Sequence, residues 1–191
     1  MDDIKNNMLH KINQKTAVVG VVGLGYVGLP LAVEKANAGY KTIGFDIQEE
    51  KVNMVNKGIN YIGDIIKEEL VSVVKSGYLK ATADISFIKE VDCVTVCVPT
   101  PLDQHMQPNL SYIETSIKNI ARYLRRGMLI ILESTTYPGT TEDLVKSLLE
   151  EISGLKCEID FYLAFSPERV DPGNGIYKTK NTPKVVGGVG K

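Results

Sequence analysis

Three glycines spaced as Gly23-Leu24-Gly25-Tyr26-Val27-Gly28 close an apolar run, Ala17 to Val22, and open a stretch with helical spacing. Glycine at the first position permits a tight turn out of a strand, and at the second it lets an anion approach the backbone. At the third it lets a helix pack against the sheet, so that the helix end directs its free N–H groups and positive dipole at a phosphate. Asp46 ends the next apolar run, 18 residues beyond Gly28, where a carboxylate accepts hydrogen bonds from ribose hydroxyls. Together these residues suit the pyrophosphate and adenosine of a dinucleotide. A carboxylate at position 46 repels the 2′-phosphate of NADP, and Ile47, Gln48, Glu49 and Glu50 include no arginine to receive it. The expected cofactor is NAD. Lys51, one helical turn on, either covers the adenosine or lies on a solvated helix face.

A second set of polar residues follows later strands. Pro99-Thr100-Pro101 comes after an apolar run at Cys93 to Val98, and Glu133 to Thr141 comes after one at Met128 to Leu132. Ser166-Pro167-Glu168-Arg169-Val170, continuing to Asn174, comes after a third at Asp160 to Phe165. Loops stiffened by proline hold small polar groups in place, although Pro, Ser and Thr also recur in structural turns. Glu168 has the chemistry of a proton acceptor for an alcohol that loses hydride. It equally fits a carboxylate paired with Arg169, and Thr136 fits a turn hydroxyl satisfying backbone.

The elements that must position these residues read as α/β. Apolar β-branched runs alternate with helical patterns, which predicts a Rossmann-type, doubly wound, mostly parallel sheet with helices on both faces and strand order 3-2-1-4-5-6. Helices are expected over Leu29 to Ala38, near Glu49 to Lys57 and near Ile65 to Ser76. Two more are expected over Leu110 to Leu124 and Thr141 to Glu151, with a brief one capped by Asp84. Further strands are expected at Lys41 to Phe45, near Leu79 to Ala81, and at Lys184-Val185-Val186. Residues 1–15 are expected to form a helical lead-in and 16–191 the dinucleotide-binding domain. In such sheets ligands bind beyond the carboxyl ends of the strands, so all these polar turns belong on one rim.

Composition narrows the function classes. With 43% hydrophobic and 24% charged residues among 191, the chain is ordinary for a globular protein. A net charge of −1 gives no electrostatic case for nucleic acid or acidic membrane. No apolar run approaches the roughly 18 residues of a membrane span. The polar N-terminus lacks the apolar core of a secretory signal. Three cysteines lack metal-ligand spacing, and Cys93 and Cys97, four apart in a strand, share one sheet face as buried thiols. A reducing, cytoplasmic setting and no metal site are expected. His10 and His105 sit in polar surroundings without an evident partner.

Taken together, Val22 to Pro30, Val98 to Leu102, Glu133 to Thr141 and Ser166 to Arg169 resemble the UDP-glucose/GDP-mannose dehydrogenase family over essentially the whole chain. That family oxidises the C6 alcohol of a nucleotide sugar to a carboxylate, reducing two NAD in sequence, in the synthesis of polysaccharide precursors. The resemblance implies that Tyr26 and Val27 offer backbone N–H groups to the pyrophosphate beside Gly23, Gly25 and Gly28. It implies that Asp46 and Lys51 hold the adenosine ribose, and that Pro99 and Thr100 lie against the nicotinamide half. Thr136 and Glu168 would orient a water or take protons near the reacting carbon, with Thr136 also contacting the cofactor, and Arg169 and Val170 would begin the substrate contacts. The stretch through Asn174 resembles the branch acting on UDP-N-acetylhexosamines, with UDP-N-acetylglucosamine the first choice of substrate. Pro172 stands where the UDP-glucose enzymes carry a further glutamate.

The family also uses a catalytic cysteine, a lysine and an asparagine from a central helix and a C-terminal domain, and Cys93, Cys97 and Cys157 match none of these roles. The chain is therefore expected to be the NAD-binding domain of a longer homodimeric or higher homo-oligomeric enzyme, inactive by itself. UDP-N-acetylmannosamine or UDP-glucose are the alternative substrates. A non-catalytic NAD-sensing module and another C–OH dehydrogenase, such as a β-hydroxyacid enzyme, are the competing classes.

Overall fold

The computed structural model describes residues 2–63, 65–169 and 179–190. Short, fully buried β-branched runs form the centre of the sheet: β1 (Val19–Val22), β2 (Thr42–Phe45) and β4 (Cys93–Val96). Strands covered on both faces carry such continuous apolar runs, because neither side meets water. Adding β3 (Leu79–Thr82), β5 (Leu129–Leu132), β6 (Tyr162–Phe165) and β7 (Gly187–Gly188) gives the order β3-β2-β1-β4-β5-β6-β7. Pairing is parallel throughout, except that β7 runs antiparallel to β6. The reversal between β1 and β4 is the switch point of a doubly wound sheet.

Two apolar clusters cover the faces. One gathers α2 (Gly28–Asn37), α3 (Glu49–Asn56) and α4 (Lys67–Lys75), with Met8 from α1 (Asp2–Asn13). Cys93 and Cys97 both belong to it, as their spacing requires. The other packs α5 (Ser111–Ala121) and α6 (Ser147–Ser153) against β4, β5 and β6. In α5, Ile113, Ile117 and Ile120 recur every three or four residues and are fully buried.

Asp92, immediately before β4, ties the opposite end of the sheet together. Its carboxylate accepts from Lys11 Nζ at 2.9 Å, Arg125 Nη2 at 2.8 Å and the Val18 N–H at 2.9 Å. Burial pushes this carboxyl up, but the bonds from Lys11, Arg125 and Val18 outweigh it and hold it below the usual range.

Three expectations need correction. The helix expected over Thr141 to Glu151 is a π-helical turn, Thr140–Lys146, followed by α6. The turn starts at Gly139, which sits in the left-handed region with φ +92°. It still turns Val145 and Leu149 inward, so the apolar spacing that predicts an α-helix is satisfied by either winding. The strand expected at Lys184-Val185-Val186 forms instead at Gly187–Gly188. The fourth strand ends at Val96, two residues short of Val98, although the Cys97 N–H still reaches Val22 O at 2.8 Å. The brief helix after Asp84 is present as a 3-10 turn, Ile85–Glu90, whose Ser86 N–H donates to the Asp84 carboxylate.

Candidate dinucleotide-binding site

The glycine loop leaves β1 and lies against the end of β4. Gly23 has φ +91°, and a Cβ there would come within 2.7 Å of the Cys97 carbonyl oxygen. A Cβ on Gly28 would run into the Gly23 carbonyl, so the helix approaches the strand as closely as the third glycine implies. Gly25 is different. A Cβ there meets no atom within 4 Å, because the position opens on the crevice. Helix α2 then begins without a side-chain cap and without an acid in its first turn, leaving its positive end for an external anion.

Asp46 sits at the end of β2 beside the loop, its side chain only 8% exposed. Its Oδ2 accepts the Leu24 N–H and its Oδ1 accepts the Gln48 N–H, both at 2.9 Å. Each carboxylate oxygen keeps a further lone pair for a ribose hydroxyl. Lys51 Nζ stands 3.9 Å from Oδ2. Asp46 is thus a carboxylate aimed by the backbone and balanced by a half-buried ammonium.

The glycine loop and Asp46 line one end of a crevice of about 940 Å³ across the strand ends. The other end is formed by Pro99 and Thr100 after β4, Glu133, Ser134 and Thr135 after β5, and Glu168 after β6. One wall is the polar face of α5, with Ser111, Thr115, Ser116 and Asn119. Of the residues expected here, Gly23, Gly25, Tyr26, Val27, Asp46, Lys51, Pro99, Thr100 and Glu168 line the crevice. Gly28 lies buried behind the loop. Thr136 is not on the wall: its hydroxyl meets Thr140 Oγ1 at 2.7 Å, and Thr140 in turn donates to Tyr137 O at 2.9 Å. Arg169 is exposed and meets Glu168 through its own backbone N–H. Val170 lies outside the described residues.

Lys184 and Glu133 are the charged residues that sequence reasoning did not assign. The Lys184 ammonium pairs with the buried carboxylate of Glu133 and lies 4.0 Å from Glu168 Oε2. Burial above all lowers the Lys184 ammonium below its usual range, with the Cys97 thiol opposing and Lys35 adding to the shift. Beside it, burial pushes the Cys97 thiol up to about 12, which disfavours its thiolate. The only signal for Lys184 is a cation at the head of the short apolar pair Val185-Val186, which reads as the start of a strand.

A crevice with a glycine turn and open helix end on one side and carboxylates on the other suits an extended dinucleotide with its reactive end towards β4, β5 and β6. The model of the UDP-glucose/GDP-mannose dehydrogenase family, NAD binding domain, matches residues 17–191. The chain belongs to this family, as its NAD-binding domain. It is 44% identical over 180 residues to the UDP-N-acetyl-D-mannosamine dehydrogenase of Campylobacter jejuni, covering 90% of this chain and 43% of that protein. It is 37% identical over 174 residues to the UDP-N-acetyl-D-glucosamine 6-dehydrogenase of Pseudomonas aeruginosa, covering 91% and 40%. The structure of the UDP-D-ManNAc dehydrogenase from Pyrococcus horikoshii superposes with a TM-score of 0.84 at 40% identity, covering 90% of this chain and 41% of that one. The chain therefore spans about two fifths of the length of these relatives. The glycine-loop and Asp46 geometry fits the dinucleotide, with open space at Gly25 on the crevice side. No described helix is long and apolar enough to cross a membrane.

Proposed function

We propose that this chain is the coenzyme domain of an enzyme that oxidises the C6 alcohol of a UDP-N-acetylhexosamine to the uronate, with two NAD. The observation that carries the reading is the single crevice joining the Asp46 and glycine-loop end to the carboxylate-bearing ends of β5 and β6. Relatives named for N-acetylmannosamine and N-acetylglucosamine support an N-acetylhexosamine over UDP-glucose. NAD supplies the hydride acceptor when bound. Tyr26 and Val27 present backbone to the pyrophosphate, Asp46 holds the adenosine ribose, and Thr100 abuts the nicotinamide half. Glu168 accepts the hydroxyl proton directly or through water, and the Lys184–Glu133 pair keeps an ammonium beside it. Arg169 and Val170 begin the substrate side. Thr136 acts through the turn it shares with Thr140. The parts of the relatives that this chain does not match would bring the remaining catalytic groups, and the whole enzyme works as a homo-oligomer in the cytoplasm, where its thiols stay reduced.

The test is turnover by the protein carrying this domain together with the region matching the rest of its relatives. UDP-N-acetylglucosamine, UDP-N-acetylmannosamine and UDP-glucose are offered in turn, and NADH absorbance is followed. Two NADH per sugar from an N-acetylhexosamine is the expected result. NAD binding without turnover of any of them would favour the sensing module instead.

A further inference from the structure

We propose that Tyr61, which lies outside the crevice, is a positioning residue that sets the direction of the glycine-loop backbone at Leu24 and Gly25. The proposal rests on the dinucleotide reading above. Leu24 is held on three sides. Its side chain is fully buried and seated over Gly44 of β2, where a Cβ would come within 2.7 Å of Leu24 Cδ2. Its N–H donates to Asp46 Oδ2 at 2.9 Å. Its carbonyl accepts the Tyr61 hydroxyl at 2.7 Å.

The Leu24 carbonyl and the Gly25 N–H belong to one planar trans peptide and point in opposite directions. A hydroxyl that pulls the carbonyl away from the crevice therefore turns the Gly25 N–H the other way. Gly25 is the residue whose open space admits the phosphates. Tyr61 reaches the loop because the connection between α3 and α4 is itself stapled. Asn60 Oδ1 accepts from the Ile62 N–H at 2.9 Å, and Asn60 Nδ2 donates to Ile65 O at 2.8 Å. Burial first, and then the charge of Asp46, push the Tyr61 phenol above its usual range, so the hydroxyl stays a donor. Asp46 and Tyr61 thus grip the peptide groups on either side of Leu24, Asp46 through its N–H and Tyr61 through its carbonyl.

Tyr61→Phe removes the hydroxyl and keeps the ring. Calorimetric titrations of the 191-residue chain with NAD, ADP and adenosine, beside thermal unfolding, read the consequence. Adenosine meets the Asp46 end but carries no pyrophosphate. Losing one oriented hydrogen bond is expected to weaken NAD and ADP by about three- to tenfold while adenosine stays within about twofold. A tyrosine with a merely structural role would lower the melting temperature and weaken all three ligands alike, or none. Either of those patterns overturns the proposal. Should the unaltered chain bind neither NAD nor ADP, the dinucleotide reading itself fails, an outcome separate from the behaviour of the variant.

Discussion

At Gly25 a single methyl group separates folding from binding. An added Cβ meets no protein atom within 4 Å, so Gly25→Ala should fold with a melting temperature within a few degrees of the parent. On the proposed function the methyl would occupy the path of the pyrophosphate, and NAD affinity should fall by about tenfold or more on calorimetric titration. Gly28→Ala should do the reverse in thermal unfolding, since its Cβ collides with the Gly23 carbonyl and overpacking of this kind costs about 1–3 kcal/mol. The two outcomes exchanged would contradict the roles given to these glycines. Asp46 shows how a residue can be legible in type and incomplete in detail. Its position after β2 points to ribose binding, but nothing in the linear spacing reveals that both its oxygens already hold backbone N–H groups of Leu24 and Gln48. Tyr61 was illegible for the same reason, because its partner is a carbonyl 37 residues away.

At the scale of elements, the sheet centre was readable because strands buried on both faces need continuous apolar runs, and Val19–Val22 and Cys93–Val96 have them. The turn at Thr140–Lys146 was not, because an inward stripe of Val145 and Leu149 suits a π-turn entering α6 as well as an uninterrupted α-helix. Nor was the position of β7, where two glycines pair with Ala164 and Phe165 without any apolar pattern of their own. The Asp92 hub joins α1, β4 and the connection before β5, and it yields a stability prediction. Asp92→Ala leaves Lys11, Arg125 and the Val18 N–H without their acceptor and should cost about 2–3 kcal/mol in denaturant unfolding, discounted for the partial exposure of both cations. The carboxyl is held below its usual range, so its contribution is complete above the unfolded value of about 3.9 and is lost as pH falls through the lower folded value. The gap between parent and variant should therefore be constant near neutrality and shrink in strong acid. A gap that persists unchanged at low pH would show that the hub is not electrostatic.

For the whole molecule, one rim of the sheet gathers what the chain disperses across its length: the glycine loop, Asp46, Thr100, Glu133 and Glu168. The opposite end carries the Asp92 hub, so the charges that line the crevice and those of the hub lie at the two ends of the same strands. Membership in the UDP-glucose/GDP-mannose dehydrogenase family accounts for that rim, and its match to about two fifths of each relative describes a coenzyme-binding unit. The measurement that bears on this account most directly is a calorimetric comparison of NAD and NADP against the unaltered chain. With Asp46 buried beside the loop and no arginine among residues 47–50, NAD should bind saturably to one site. NADP should bind at least about tenfold more weakly, because the carboxylate repels its 2′-phosphate. Absence of any heat with millimolar NAD, or NADP binding as tightly as NAD, would contradict it.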